Sequence, residues 1–204
     1  MDTPLVIACG ALARELRTVL DAAGLRDQVE VRYLPAHLHN RPEGIVPAVR
    51  DALEDAGALD PDGGRSVLIG YADCGTGGRL DALLEQLPHL RRLPGAHCYE
   101  LFAGSELFEA LHDREPGTFY LTDFLARHFE ALVWQGLGLD RHPELRDVYF
   151  ANYRRLVLLS QAQDDGVIER AQDAAARLGL AFEHRHVGYR HFAEAVAVSV
   201  RRAA

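Results

Sequence analysis

Short apolar runs alternate along the chain with stretches in which apolar residues recur every three or four positions, the pattern of strands and helices laid down in turn. Residues 5–8 (Leu-Val-Ile-Ala) and 66–71 (Ser-Val-Leu-Ile-Gly-Tyr) are short, continuous and rich in branched side chains, as strands buried on both faces of a parallel sheet are. Between them, 10–23 carries Leu12, Leu16, Val19 and Leu20 at helical spacing and stops at Gly24. Residues 29–34 alternate as a strand ended by Pro35, 37–42 read as a loop, 44–56 as a helix ended by Gly57, and 60–64 as a turn. Beyond these, the pattern predicts helices over 79–86, 105–112, 124–134, 147–154, 166–178 and 192–201. It predicts strands over 92–96, 117–121, 155–159 and 181–186. The succession predicts an α/β fold: a doubly wound, mostly parallel sheet flanked by helices. It reads as a single domain over 1–204, with a helical insertion near 104–153 forming a cap or sub-lobe.

Composition narrows the chemistry. The 204 residues are 48% hydrophobic and 25% charged, the balance of a globular protein, and the net charge of −8 disfavours a nucleic-acid-binding face. All 22 basic residues are arginine, so no Schiff-base, P-loop or general-base lysine exists. No apolar run approaches the ~20 residues of a membrane helix. The opening Met1-Asp2-Thr3-Pro4 carries no signal-peptide pattern, so a cytoplasmic protein with reduced thiols and no membrane partner is expected. Three cysteines, an odd number, also argue against a disulfide framework.

Those cysteines, Cys9, Cys74 and Cys98, each follow a strand-like run. Cys9 and Cys74 precede glycines, Gly10 and Gly75, and Cys98 follows His97. In open α/β sheets the ligand crevice lies beyond the carboxyl ends of the strands, so the thiols are candidates for one three-thiolate metal site. The competing reading is three buried cysteines acting as small hydrophobes. A helix beginning at Gly10 is expected to lower the pKa of Cys9. His37 and His39, at alternate positions of an extended loop, are expected to face the same side, with His39 the best fourth ligand. Three thiolates and an imidazole suit zinc, and three thiolates alone also suit a [4Fe–4S] cluster with one open iron. His97 and Glu15 are acid–base candidates, Glu15 being alternatively a solvated helix carboxylate. The glycine-rich loop 71–78 is expected to let backbone approach the site, with Gly10, Gly75 and Tyr71 as cofactor-binding candidates. It lacks the G-x-G-x-x-G and P-loop patterns of nucleotide sites. Tyr120 and Thr122 read as strand residues sharing one face, and His184, His186 and His191 as solvent-facing.

Taken together, Cys9-Gly10 with Glu15, Leu34-Pro35 before Leu38-His39-Asn40, Gly70-Tyr71 before Cys74-Gly75, His97-Cys98 before Gly104-Ser105, and Pro116-Gly117-Thr118 with Tyr120-Leu121-Thr122 resemble the DUF1638 family over roughly 5–200. The resemblance implies a cysteine-bearing α/β protein that keeps company with corrinoid-dependent methyl-transfer proteins. By that analogy it implies a zinc-dependent transfer of a methyl or other small group to a small-molecule acceptor, with a corrinoid protein as partner. The alternatives are a [4Fe–4S] protein doing lyase or desulfurase chemistry, a non-catalytic metal carrier or sensor, and a plain ligand-binding module with buried thiols.

Overall fold

The computed structural model describes residues 3–60 and 65–203, so most of the turn read at 60–64 lies outside the described residues. The chain forms two compact units, one of residues 1–101 with 190–204 and one of 102–189. Each is built on its own parallel sheet. The α/β class is therefore as the alternation predicts, with the strands shared between two sheets. No helix among the described residues is long and apolar enough to cross a membrane.

The first sheet has strands β1 (Leu5–Cys9), β2 (Glu30–Leu34), β3 (Val67–Gly70) and β4 (Leu90–Arg92), in the order β2-β1-β3-β4. β1 and β3 are buried along their whole length, which explains their unbroken apolar runs. Helices α1 (Ala13–Ala22), α2 (Ile45–Asp55) and α3 (Arg79–Gln86) connect the strands. β2 and β3 lie on opposite sides of β1, so right-handed crossovers put α1 and α2 on opposite faces of the sheet. The closing helix α9 (Arg190–Ala203) packs beside α1 and across β3 and β4, while α3 joins α2. The strand read over 92–96 is misplaced: pairing stops at Arg92, because Leu93 is the last residue whose N–H bonds back to Ile69.

The second sheet has β5 (Thr118–Thr122), β6 (Arg155–Ser160) and β7 (Ala181–His186), in the order β5-β6-β7. Helix α4 (Cys98–Ala103) begins in the first unit and ends in the second, whose own helices are α5 (Ser105–Arg114), α6 (Asp123–Arg127), α7 (Leu145–Tyr149) and α8 (Asp165–Leu178). The stretch 104–153 is mostly helical, as read, but it also contributes β5. The single long helix read over 124–134 is interrupted: α6 ends at Arg127, and Glu130–Trp134 coils as a π-helix.

The sheet of the first unit is tight where β1 turns out of it. A Cβ on Gly10 would stand 2.7 Å from the Leu34 carbonyl oxygen and 3.3 Å from the Ala36 nitrogen, both backbone atoms that cannot swing aside. One on Gly70 would meet the Ala8 Cβ at 2.7 Å. Gly10→Ala is therefore expected to cost about 1–3 kcal/mol of stability, the usual penalty for overpacking. Urea unfolding checks it; a midpoint equal to wild type would show that the strand ends are not packed this closely.

Candidate functional site

Because the four strands of the first sheet are parallel, their carboxyl ends emerge along one edge, and a chemistry-bearing residue follows each of them. β1 ends on Cys9. β2 leads through Pro35 into a single 3-10 helix, Ala36–Asn40, which carries His37 and His39. β3 leads through Tyr71, Ala72 and Asp73 to Cys74, and β4 leads through 93–97 to Cys98, the first residue of α4. The chain winds from β1 to one side and then, through β2, to the other, so the crevice opens at the ends of β1 and β3. Cys9 and Cys74 sit in the two segments that flank it.

Asp73 fixes the shape of the loop after β3. Its carboxylate accepts the Thr76 hydroxyl at 2.7 Å and the N–H groups of Gly77 and Gly78 at 3.2 and 2.9 Å. These bonds hold the carboxyl below the usual range. They also occupy the backbone donors with which such a loop would cradle a phosphate, so the loop binds its own side chain. Within this turn Cys74 has left-handed backbone at φ 50°, the one non-glycine residue there among those described. Gly75 follows at φ 80°, exposed, and a Cβ there would stand 3.2 Å from the Pro42 ring. Backbone bonds from Asp73 to Gly95 (3.1 Å) and Cys74 to Ala96 (2.8 Å) tie this loop to the segment before Cys98. Arg92 braces that segment in turn, gripping Asp81 through two bonds while donating to the carbonyls of Leu93 and Gly95.

The three thiols are electrostatic neighbours. Cys9 is buried, Cys74 and Cys98 half-buried. Burial is the largest influence on each and raises all three pKa values, Cys74 to about 11 and Cys98 well above the ordinary thiol. A charge on Cys9 raises Cys74, and charges on both raise Cys98. Opposing these, the backbone at Ala72 and Cys98 lowers Cys74, and the backbone at Ala11 with the Tyr71 side chain lowers Cys9. Tyr71 is itself buried, and among the described residues its hydroxyl has no hydrogen-bond partner of good geometry. The lowered Cys9 pKa expected from a helix start is thus overturned. The turn after Cys9 is a 3-10 turn, Gly10–Leu12, the α-helix begins only at Ala13, and burial outweighs the donors.

The imidazoles form a group of their own. His39 stands edge-on to Tyr99 with ring centroids 6.4 Å apart, and His97 lies 6.3 Å from the same ring. Burial, then His97, pushes the His39 pKa down and favours the neutral form a metal ligand needs. His37 and His39 do not share a side, because the segment is a 3-10 helix and not an extended loop. His37 is exposed and His39 half-buried. His97 is exposed beside Cys98. Glu15 is buried, at 1% exposure, on the first turn of α1; the pKa of Tyr33 on β2 is raised mainly by burial, to which the Glu15 charge adds. It is not the solvated helix carboxylate of the alternative reading.

Two residues of the site escape a reading by composition. Asp73 carries a local signal, an Asp three residues before Thr76-Gly77-Gly78, that marks a side-chain-closed turn. Tyr99, which gathers the two imidazoles, carries none. As a donor set, three sulfurs with a neutral imidazole on the same sheet edge match soft-metal chemistry. Among the described residues, however, the side chains form no group of three or more His, Cys, Asp or Glu already arranged to hold a metal ion.

No curated protein and no solved structure matches the chain. A family model described as a protein of unknown function, DUF1638, matches residues 33–196. The match contains His39, Cys74 and Cys98 and begins beyond Cys9 and Glu15. Covering most of the chain, it establishes that this protein belongs to the DUF1638 family.

Proposed function

We propose that the chain is a thiolate-metal enzyme in which Cys9, Cys74 and Cys98 hold a zinc ion at the edge of the first sheet, with His39 as the fourth ligand or as its near neighbour. One observation carries the reading. Cys9 and Cys74 come from the two segments that flank the point where the parallel sheet reverses its winding, and Cys98, from the segment after β4, feels the charge of both. When bound, zinc supplies a Lewis acid that keeps a coordinated thiol or water deprotonated near neutral pH. The chain's own residues supply the rest. The Asp73 clamp and the ties to Gly95 and Ala96 hold two of the sulfur-bearing segments together, and Gly10 lets the first approach. His97, exposed beside Cys98, is placed to move a proton at the rim. The reaction we propose there is transfer of a methyl or other small group, with a corrinoid protein as donor and a small thiol as acceptor.

The test is elemental analysis of wild type beside Cys9→Ser, Cys74→Ser, Cys98→Ser and His39→Ala. About one zinc per chain is expected in wild type and a tenfold or greater loss of retained zinc in each cysteine variant. Zinc uptake should release protons, since the thiols are protonated beforehand. Brown protein with iron and sulfide would replace zinc by a cluster in the same site. Metal loss confined to one cysteine variant would leave no shared site.

A further inference from the structure

We propose that the second unit carries an activated serine, Ser160, with His184 as its general base, and that this site attacks acyl esters. Ser160 is the last residue of β6, and His184 and His186 stand two apart near the end of β7, so they lie on one side of the sheet at its carboxyl edge. Ser160 pairs in register with His186. Its Oγ lies 2.8 Å from His184 Nε2 and 3.1 Å from His186 Nδ1. Nucleophile and base within hydrogen-bond reach, at the carboxyl ends of parallel strands, is the arrangement by which a hydroxyl is activated.

The surroundings match the roles. Ser160 is buried, His184 half-buried and His186 exposed, so the imidazoles line the way from solvent to the hydroxyl. Gly188 adds no side chain on that approach, and a Cβ there would meet nothing within 4 Å. The backbone beyond the serine is fixed from below. Asp123, 1% exposed, accepts the N–H groups of Gln161 and Ala162 at 3.1 and 3.0 Å, and the Gln161 side chain accepts the Asp123 N–H at 3.0 Å. The N–H groups of Val187 and Gly188 bond the Ser160 carbonyl at 2.9 and 3.2 Å. Burial and then His186 favour neutral His184, ready to take a proton; the Asp123 charge favours the imidazolium that results. The substrate is a carbonyl and not a phosphoryl ester, because the neighbouring cation, Arg127, is already neutralised by Asp164 at 2.9 Å and Asp123 at 3.9 Å.

In the reaction Oγ forms a bond to the acyl carbon as its proton passes to His184 Nε2. The bond to the leaving alkoxide or thiolate then breaks, and that group departs with the proton from His184. Water, deprotonated by the same imidazole, releases the acid and restores the hydroxyl. His186 is exposed, as read, but His184 is half-buried against Ser160: the strand that brings this partner, β6, lies more than twenty residues away in the chain.

The full-length protein tests it with a fluorophosphonate probe, which forms the Oγ–P bond as fluoride leaves. Peptide mapping by mass spectrometry is expected to find the label on Ser160. His184→Gln is expected to slow labelling at least tenfold, and His186→Gln less. Ser160→Ala, with an unchanged melting curve, is expected to abolish labelling and any p-nitrophenyl acetate turnover. Wild-type protein left unlabelled, or labelled elsewhere, overturns the proposal, as does a labelling rate that His184→Gln leaves unchanged. Because the mapping is read on wild type, the result does not depend on how the variants fold.

Discussion

Asp123→Ala should destabilise the second unit by about 3 kcal/mol, the largest single loss expected outside the hydrophobic core. Hydrogen bonds to a charged acceptor contribute about 1.5–3 kcal/mol each, and removing the acceptor strands the buried N–H of Gln161 and the half-buried one of Ala162. Asp123 accepts two such bonds, from Gln161 and Ala162, at 1% exposure, and its own N–H is held by Gln161. The carboxylate thereby ties the end of β5 to the segment beyond β6. Asp123→Asn retains one acceptor oxygen but turns a second donor towards the backbone, so it should fall between alanine and wild type. Urea unfolding of the three proteins, followed at a probe within residues 102–189, is the check. A change below about 0.5 kcal/mol for alanine, the scale of an ordinary surface substitution, would show that these bonds do not hold the two strand ends together.

The second large effect concerns alkali. Metal-free protein should lose stability as pH rises from about 9 towards 11, and the zinc-loaded protein should not. All three thiol pKa values are raised in the folded state, Cys74 from 9.0 to about 11. Below the unfolded value both states hold the proton and nothing is lost. Between the two values the unfolded chain gives up protons that the folded one retains, so unfolding becomes progressively easier. For Cys74 alone the loss is on the order of 2–3 kcal/mol by pH 11. Lysine contributes nothing, but Tyr33, Tyr71 and Tyr120, whose pKa values burial also raises, add to the decline above pH 10 together with Cys9 and Cys98. Denaturation midpoints at several pH values, for metal-free wild type beside Cys74→Ser, isolate the thiol. Parallel decline of the two would show that Cys74 ionises as freely in the fold as outside it.

Local features of this fold were legible where one segment decides them. Residues 79–86 read as a helix and are one, and β1 and β3 announce themselves because both faces of each are buried. β4 was hidden by its own composition, Leu-Arg-Arg, whose charges suit an edge strand and break the apolar run. The division into two sheets was not legible, since periodicity says that a strand exists and not which strand it joins. The same limit governs the sites. Cys9, Cys74 and Cys98 could be found because each follows its strand closely in the chain. Ser160 and His184 could not, because only the pairing of β6 with β7 joins them. His37 and His39 were misjudged for a third reason: Pro35 ends a strand without saying whether the chain then extends or coils.

The left-handed backbone at Cys74 sets economy of folding against use. Glycine adopts that conformation without the steric penalty a Cβ brings, so Cys74→Gly would relax the turn while deleting the whole CH2SH group. At this one position the backbone's ease and the presence of a thiol exclude each other.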